Sequence, residues 1–344
     1  MEVKISKLTP EEVSELNKKD VLYSLDFRGL GESLNYEIPE MRKYENLLPW
    51  ILNGATCLAN ENSASLKYIN KNNIVIVKSG KLAQTSIYKR LEKIQKFKCL
   101  WAGIPHPDAD KLAKENNVSI NYNWMDFLKL NNKIIQKKTI KRNTPEFIIV
   151  QDFTHLKNIL AKDNEFFLKR NLGSGGFTSF DCTKIKIKYF KKFNFKENGK
   201  LCFYLERKIY GTPFSIQLYK DKNKIIAFGY TKQITEDGYF FKGNEILDLK
   251  NFKEIEFLRD ILEQGKTLFK HYNGFFGLDF IFNNRAYFLE FNVRLTAATI
   301  PVLLTNAFGW KQSVYLENET KLKKNDLILT NTEDKYDILR RANG

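Results

Sequence analysis

One stretch, Gly274 to Thr296 (GFFGLDFIFNNRAYFLEFNVRLT), restricts the fold of this 344-residue chain more than any other. Two apolar runs, Leu278 to Phe282 and Ala286 to Phe291, each carry one carboxylate, and Asn283-Asn284 between them supplies turn chemistry. The pattern predicts a hairpin of two strands. A lone acid in a half-buried strand is costly unless something pairs with it, and two on neighbouring strands repel unless a cation lies between them. Side chains alternate with period two, so Asn292 and Arg294 share the face of Glu290. Asp279, Glu290 and Asn292 then offer three oxygens on one side, a hard-cation set suited to Mg²⁺ carrying phosphates. Arg294 is placed to meet a phosphate or a developing negative charge. The same residues also suit a plain hairpin whose acids reach solvent at its ends.

Upstream, Glu165 to Arg170 reads as a strand that carries Lys169 and runs into Asn171-Leu172-Gly173-Ser174-Gly175-Gly176-Phe177-Thr178. Glycines let backbone N–H groups approach phosphate oxygens, and the lysine supplies a point charge. The order is not that of a P-loop, because the lysine precedes the glycines, and an ordinary hairpin turn has the same composition. Before it, strands and helices alternate over roughly the first 125 residues: strands at Val21 to Phe27, Asn73 to Val77, Cys99 to Gly103 and Val118 to Asn121, helices at Pro49 to Ala59, Ala83 to Lys96 and Asp108 to Asn116. That alternation predicts an open α/β sheet. Thr9-Pro10-Glu11-Glu12 reads as the cap of a helix within residues 1–20. Arg28-Gly29-Leu30-Gly31-Glu32-Ser33 is a glycine turn short of a full nucleotide fingerprint, and Arg28 is a candidate acceptor contact. A run of strands from Cys202 to Lys242, a long amphipathic helix over Glu254 to Tyr272, and a polar, peripheral segment 311–344 complete the chain.

Composition excludes several classes. The chain is 43% hydrophobic and 14% aromatic, ample for a core. No run approaches the eighteen or so apolar residues of a membrane helix, and the charged N-terminus is unlike a signal peptide, so a soluble cytoplasmic protein is expected. Cys57, Cys99, Cys182 and Cys202 lack CxxC spacing and read as reduced thiols. The three histidines, His106, His155 and His271, lie near no credible nucleophile, which leaves triad catalysis little to build on. A net charge of +16 invites a nucleic-acid reading, yet the lysines are spread along the chain like a solvated surface.

Taken in order, these elements resemble the ATP-grasp superfamily of carboxylate–amine ligases over roughly residues 126–306. The carriers are Lys133 in Asn131-Asn132-Lys133, the Lys169 strand, the Gly173–Gly176 loop, Glu206 with Gly211, the Asp279 strand and Glu290-x-Asn292-x-Arg294. EFNVRLTAA resembles the E-x-N-P-R-L-T signature of the branch with pyrrolysine-pathway and tyramine–glutamate ligases, and biotin carboxylase and carbamoyl phosphate synthase carry a related form. The resemblance implies an N-terminal α/β domain (1–125), a two-lobed ATP-grasp domain (126–310, lid about 140–208) and a C-terminal segment (311–344). It implies that Lys133 and Lys169 contact the phosphates of ATP and that Gly173, Ser174, Gly175 and Gly176 close over them. Glu206 would accept the adenine amino group beside the backbone of Lys208 and Ile209. Asp279, Glu290 and Asn292 would hold Mg²⁺, with Mn²⁺ a possible substitute, and Arg294 and Lys169 would serve catalysis.

Val293 replaces the signature's proline, Asn132 stands where aspartate often precedes the lysine, and Thr212-Pro213-Phe214 offers no acidic ribose partner. No biotin-attachment or glutaminase segment is present in the sequence. The implied reaction turns a carboxylate of an amino acid or small peptide into an acylphosphate and joins it to an amine, releasing ADP and phosphate. A kinase-like enzyme that stops at phosphorylation and a non-catalytic nucleotide- or nucleic-acid-binding protein are the alternatives. The expected partners are small-molecule carboxylate and amine substrates, with nucleic acid and membrane not expected and a homodimer possible.

Overall fold

The computed structural model describes residues 2–13, 16, 18–25, 47–52, 55–60, 74–77, 88, 91, 94–173, 176, 178–332 and 335–342. The helix predicted within residues 1–20 does not form. Its cap is real, since Glu12 accepts from the Thr9 N–H at 2.7 Å, but only one 3-10 turn follows, Pro10–Glu12. Strand β1, Glu2–Ile5, instead pairs in parallel with Lys224 to Ala227 of the large sheet described below.

The N-terminal layer is a parallel sheet of β2 (Val21–Ser24), β3 (Thr56–Asn60), β4 (Ile74–Val77), β5 (Cys99–Ala102) and β6 (Ser119–Ile120), in the order β4-β3-β2-β5-β6. Helix α1, Pro107–Glu115, buries Ala109, Leu112 and Ala113. The open α/β sheet is therefore present. The expected helix over Pro49 to Ala59 is replaced by a 3-10 turn, Leu48–Trp50, and then β3, where Thr56 and Cys57 join the parallel ladder. The Arg28 to Ser33 turn lies outside the described residues, as does most of the Ala83 to Lys96 segment.

Helices α2 (Trp124–Leu130) and α3 (Lys133–Thr139) lead into an antiparallel lid sheet. Its strands are β7 (Phe147–Ile149), β8 (Phe166–Arg170), β9 (Ser179–Asp181) and β12 (Phe203–Arg207), ordered β7-β12-β8-β9, with α4 (Phe153–Leu160) and the small hairpin β10 (Lys196–Glu197) and β11 (Lys200–Leu201) beside them. Leu156, Phe166, Leu168, Phe190 and Leu205 form a core of its own.

The largest sheet has nine strands. It holds β13 (Thr212–Asp221), β14 (Lys224–Glu236), β15 (Phe240–Leu247), β16 (Gly274–Asn283), β17 (Arg285–Asn292), β18 (Ser313–Glu319), β19 (Leu327–Thr332) and β20 (Lys335–Arg341), ordered β17-β16-β13-β14-β15-β18-β20-β19, with β1 on β14. Helix α5, Ile255–Gln264, is shorter than the predicted Glu254 to Tyr272, and α6 spans Thr299–Ala307. The C-terminal segment expected to be peripheral supplies β18, β19 and β20. Tyr315, Leu329, Ile338 and Leu339 are buried there, so its apolar residues alternate inward from a polar background.

Strand β17 is an edge, and side chains cover it. Gln136 mimics a backbone partner: its Nε2 donates to Phe291 O (2.8 Å) and its Oε1 accepts from Phe291 N (2.8 Å). Asn131 does the same at Val293, accepting from its N–H (2.9 Å) and donating to its carbonyl (3.3 Å). Lys137 donates to Phe288 O at 3.0 Å. An uncovered edge strand presents a row of unpaired backbone groups, so these contacts both dock α3 and silence the edge.

Candidate functional site

The hairpin predicted from Gly274 to Thr296 is β16–β17, and Asn284 turns it with a φ of 58°. Asp279 faces Glu290 directly across the ladder, and Asn292 pairs with Gly277 two residues on, so all three share one face. Asn292 Nδ2 donates to Asp279 Oδ2 (2.9 Å) and to Glu290 Oε1 (3.3 Å), which places the amide between the two acids. Lys133 Nζ lies 2.7 Å from Glu290 Oε2.

Burial, and then the charge of Glu290, lift the Asp279 carboxyl to about 6, against hydrogen bonds from Ser215 and Gln233 and the charge of Arg294. Burial pushes Glu290 upward as well, but Lys133 overrides it and holds the carboxyl below its usual value. Arg294 is buried, its Nη1 donating to Asn131 Oδ1 at 3.1 Å. Desolvation pulls its guanidinium down, and Glu290 and Asp279 oppose that. Below the acids, Gln217 is fixed by Thr296 Oγ1 (2.7 Å) and Thr299 Oγ1 (3.0 Å), and its Nε2 donates to Ser215 Oγ at 2.9 Å.

A second charged group lies under the lid. Lys169, on β8, pairs with Glu206, opposite it on the neighbouring strand, and Lys137 pairs with the other oxygen at 2.5 Å. Burial alone would raise the Glu206 carboxyl, yet the two lysines overcome it and hold it at about 2. Lys208, predicted beside the base, turns its ammonium to Asp181 (3.0 Å) and Thr183 (3.2 Å), and Ile209 next to it is half-buried.

Of the glycine loop, Gly173 and Gly176 are described, and Ser174 and Gly175 are not. Gly176 has a φ of +82°, and a Cβ there would stand 2.2 Å from the Tyr239 carbonyl, so the loop lies directly on the β14–β15 turn. A cleft between loop and floor is lined by Asn131, Lys133, Leu172, Gly173, Asn292 and Arg294.

The structure thus brings Lys133, Asp279, Glu290, Asn292 and Arg294 to one place, with Lys169 and Glu206 joined beneath the lid. Sequence reasoning missed Asn131, Lys137, Ser215, Gln217 and Gln233. Lys137 had one legible signal, its i+4 spacing from Lys133. Asn132 also acquires a role: its side chain accepts from Ile135 N–H at 3.2 Å and caps α3, as an aspartate would.

A family model for the ATP-grasp domain matches residues 130–298. The chain carries an ATP-grasp domain. A putative ATP-grasp superfamily protein from Archaeoglobus fulgidus is similar over 94% of this chain and 99% of its own, at 13% identity and a TM-score of 0.57. N5-carboxyaminoimidazole synthetase from Staphylococcus aureus covers 99% of this chain and 96% of its own, at 12% identity and a TM-score of 0.59. Biotin carboxylase from Campylobacter jejuni, solved as a β,γ-ATP complex, covers 94% and 88%, at 13% identity and a TM-score of 0.61. At such identities the likeness is one of fold. No curated protein matches the sequence. No described helix is long and apolar enough to cross a membrane.

Proposed function

We propose that this ATP-grasp protein is an ATP-dependent, ADP-forming ligase that activates a carboxylate as an acylphosphate and joins it to an amine. The observation that carries the reading is the Asp279–Asn292–Glu290 constellation: two buried acids face each other, with an amide where a cation would relieve their repulsion. The donors fit Mg²⁺, since two carboxylates and an amide are hard ligands, and a half-turn of the Asn292 amide would replace its nitrogen by oxygen. When bound, Mg²⁺ would neutralise charge on the phosphates. The remaining work falls to the chain. Lys133 and Lys169 bind phosphate oxygens, the glycine loop excludes water, and Arg294 stabilises charge on the transferring group. Such a transfer needs positioning more than a covalent nucleophile, which suits a site of lysines, acids and one arginine.

On the acceptor side, Asn244 on β15 is opposite Gln233 in the ladder, and Gln233 is a hydrogen-bond partner of Asp279. Asn244 is 1% exposed, and neither its amide nitrogen nor its oxygen has a partner. A buried amide left in that state is destabilising, and one donor beside one acceptor matches the carboxylate and ammonium of an amino acid. Replacing Asn244 by Leu is expected to hold or raise the melting temperature while raising KM for the amine or carboxylate substrate by about tenfold, with KM for ATP unchanged. Equal KM values for every substrate would remove Asn244 from the pocket.

ADP and phosphate release from Mg-ATP, with pooled amino acids then withdrawn one at a time, tests the reaction. Release that needs one carboxylate and one amine supports the ligase. Release with the carboxylate alone makes the protein a phosphotransferase. Salt-dependent DNA binding without ATP turnover would replace both readings; Lys184, Lys186, Lys188, Lys191 and Lys192, which line an open groove on the lid, are where it would bind.

A further inference from the structure

Lys133 and Lys137 lie one turn apart on α3 and serve different acids: Lys133 meets Glu290, and Lys137 meets Glu206. The Lys137 side chain is fully buried. Besides Glu206 Oε1 at 2.5 Å, its ammonium donates to Thr144 Oγ1 (3.1 Å) and Phe288 O (3.0 Å) and lies 5.2 Å from the centre of the Phe288 ring. Three N–H bonds have three oxygen partners, so the group is saturated and fixed. Lys169, the other partner of Glu206, is held differently. It comes from the strand that enters the glycine loop, its side chain is 15% exposed, and its further contact is the Phe167 ring at 5.7 Å.

We propose that Lys137 is a positioning residue, a permanent counter-ion that keeps Glu206 ionised and oriented so that Lys169 can leave the carboxylate for the phosphates of a nucleotide. This rests on the nucleotide reading of the site. With Lys169 as its only cation, Glu206 would be stranded as a bare buried charge whenever Lys169 moved, and the cost of breaking a buried pair would pin Lys169 in place. With Lys137 fixed, one ammonium can depart while the carboxylate stays compensated. The oxygen that Lys169 vacates is then free to accept an N–H, such as the exocyclic amine of a purine. The pair of lysines on one acid thus acts as an exchange device, one partner staying and one travelling.

The test is calorimetric binding of Mg-AMPPNP, a non-hydrolysable ATP analogue, to the full chain and to Lys137→Met, Glu206→Gln and the double variant, with thermal unfolding as the fold control. Lys137→Met is expected to weaken binding by at least about tenfold, because Lys169 becomes locked on Glu206. Adding Glu206→Gln releases Lys169, so the double variant should bind more tightly than Lys137→Met and within about threefold of Glu206→Gln alone. A packing role for Lys137 predicts no such rescue. Unchanged binding in Lys137→Met, or a double variant no better than it, overturns the proposal. Should Lys137→Met fail to fold, Glu206→Gln against the double variant decides: a loss well beyond threefold overturns it. Absence of binding to the wild-type chain refutes the nucleotide reading itself, and this proposal with it.

Discussion

Glu290→Gln should lower turnover by more than about 100-fold and leave the fold intact. The substitution keeps shape but removes one of two negative charges that would hold Mg²⁺, and it frees Lys133 from the acid 2.7 Å away. Two effects on stability oppose each other. Lys133 loses a partner, and Asp279 loses the like charge that helps burial to lift its carboxyl to about 6. The melting temperature should therefore move by only a few degrees, while ADP release at saturating Mg-ATP collapses. A fully active variant would sink the metal assignment. The same reasoning gives a pH dependence in the wild-type chain. Asp279 must be ionised to hold a cation, so apparent Mg²⁺ affinity should fall as the pH drops through about 6. In Glu290→Gln that fall should begin at a lower pH, because the repulsion that raised Asp279 is gone.

The hairpin was legible because strand periodicity and the cost of burying charge are local facts. Alternation alone puts Asp279, Glu290 and Asn292 on one side, and the ladder sets Asp279 opposite Glu290. The parallel N-terminal sheet was legible for the same reason, its short apolar strands being separated by helical spacing. What sequence could not display were residues whose roles exist only after docking. Asn131 and Gln136 act by copying a backbone partner for β17, and nothing in an isolated amide announces that. Lys137 sits in the run Lys137-Lys138-Thr139-Ile140-Lys141-Arg142, where the lysines read alike. Lys138 is exposed and Lys137 is fully buried, a difference set by the face that α3 turns to β17.

The wrong expectations have the same origin. Thr9 to Glu12 carries a genuine helix-start signal, but capping stabilises a helix without extending it, and β1 gains more by joining β14. The C-terminal segment is polar on average, yet Tyr315, Ile338 and Leu339 lie at alternating or paired positions that a sheet edge can bury. Average polarity hid a pattern of period two.

Arg294→Lys should separate binding from chemistry. Asn131 holds the residue at two points, through Val293 N–H at 2.9 Å and Arg294 Nη1 at 3.1 Å, so backbone and guanidinium are fixed together. Val293, where the signature has proline, is thereby held by a hydrogen bond that proline could not donate. Lysine keeps the positive charge that Asp279 and Glu290 favour, and the acids should remain close to their present titration behaviour. It loses the planar fork, and with it the ability to hold Asn131 and still present further N–H groups to a phosphate. Mg-AMPPNP affinity should change by no more than about threefold, while ADP formation drops by about 100-fold. If both fall together, Arg294 is a nucleotide-binding residue; if neither falls, the guanidinium serves only to fix Asn131, and the charge on the transferring phosphoryl group must be met by Lys133 and Lys169 alone.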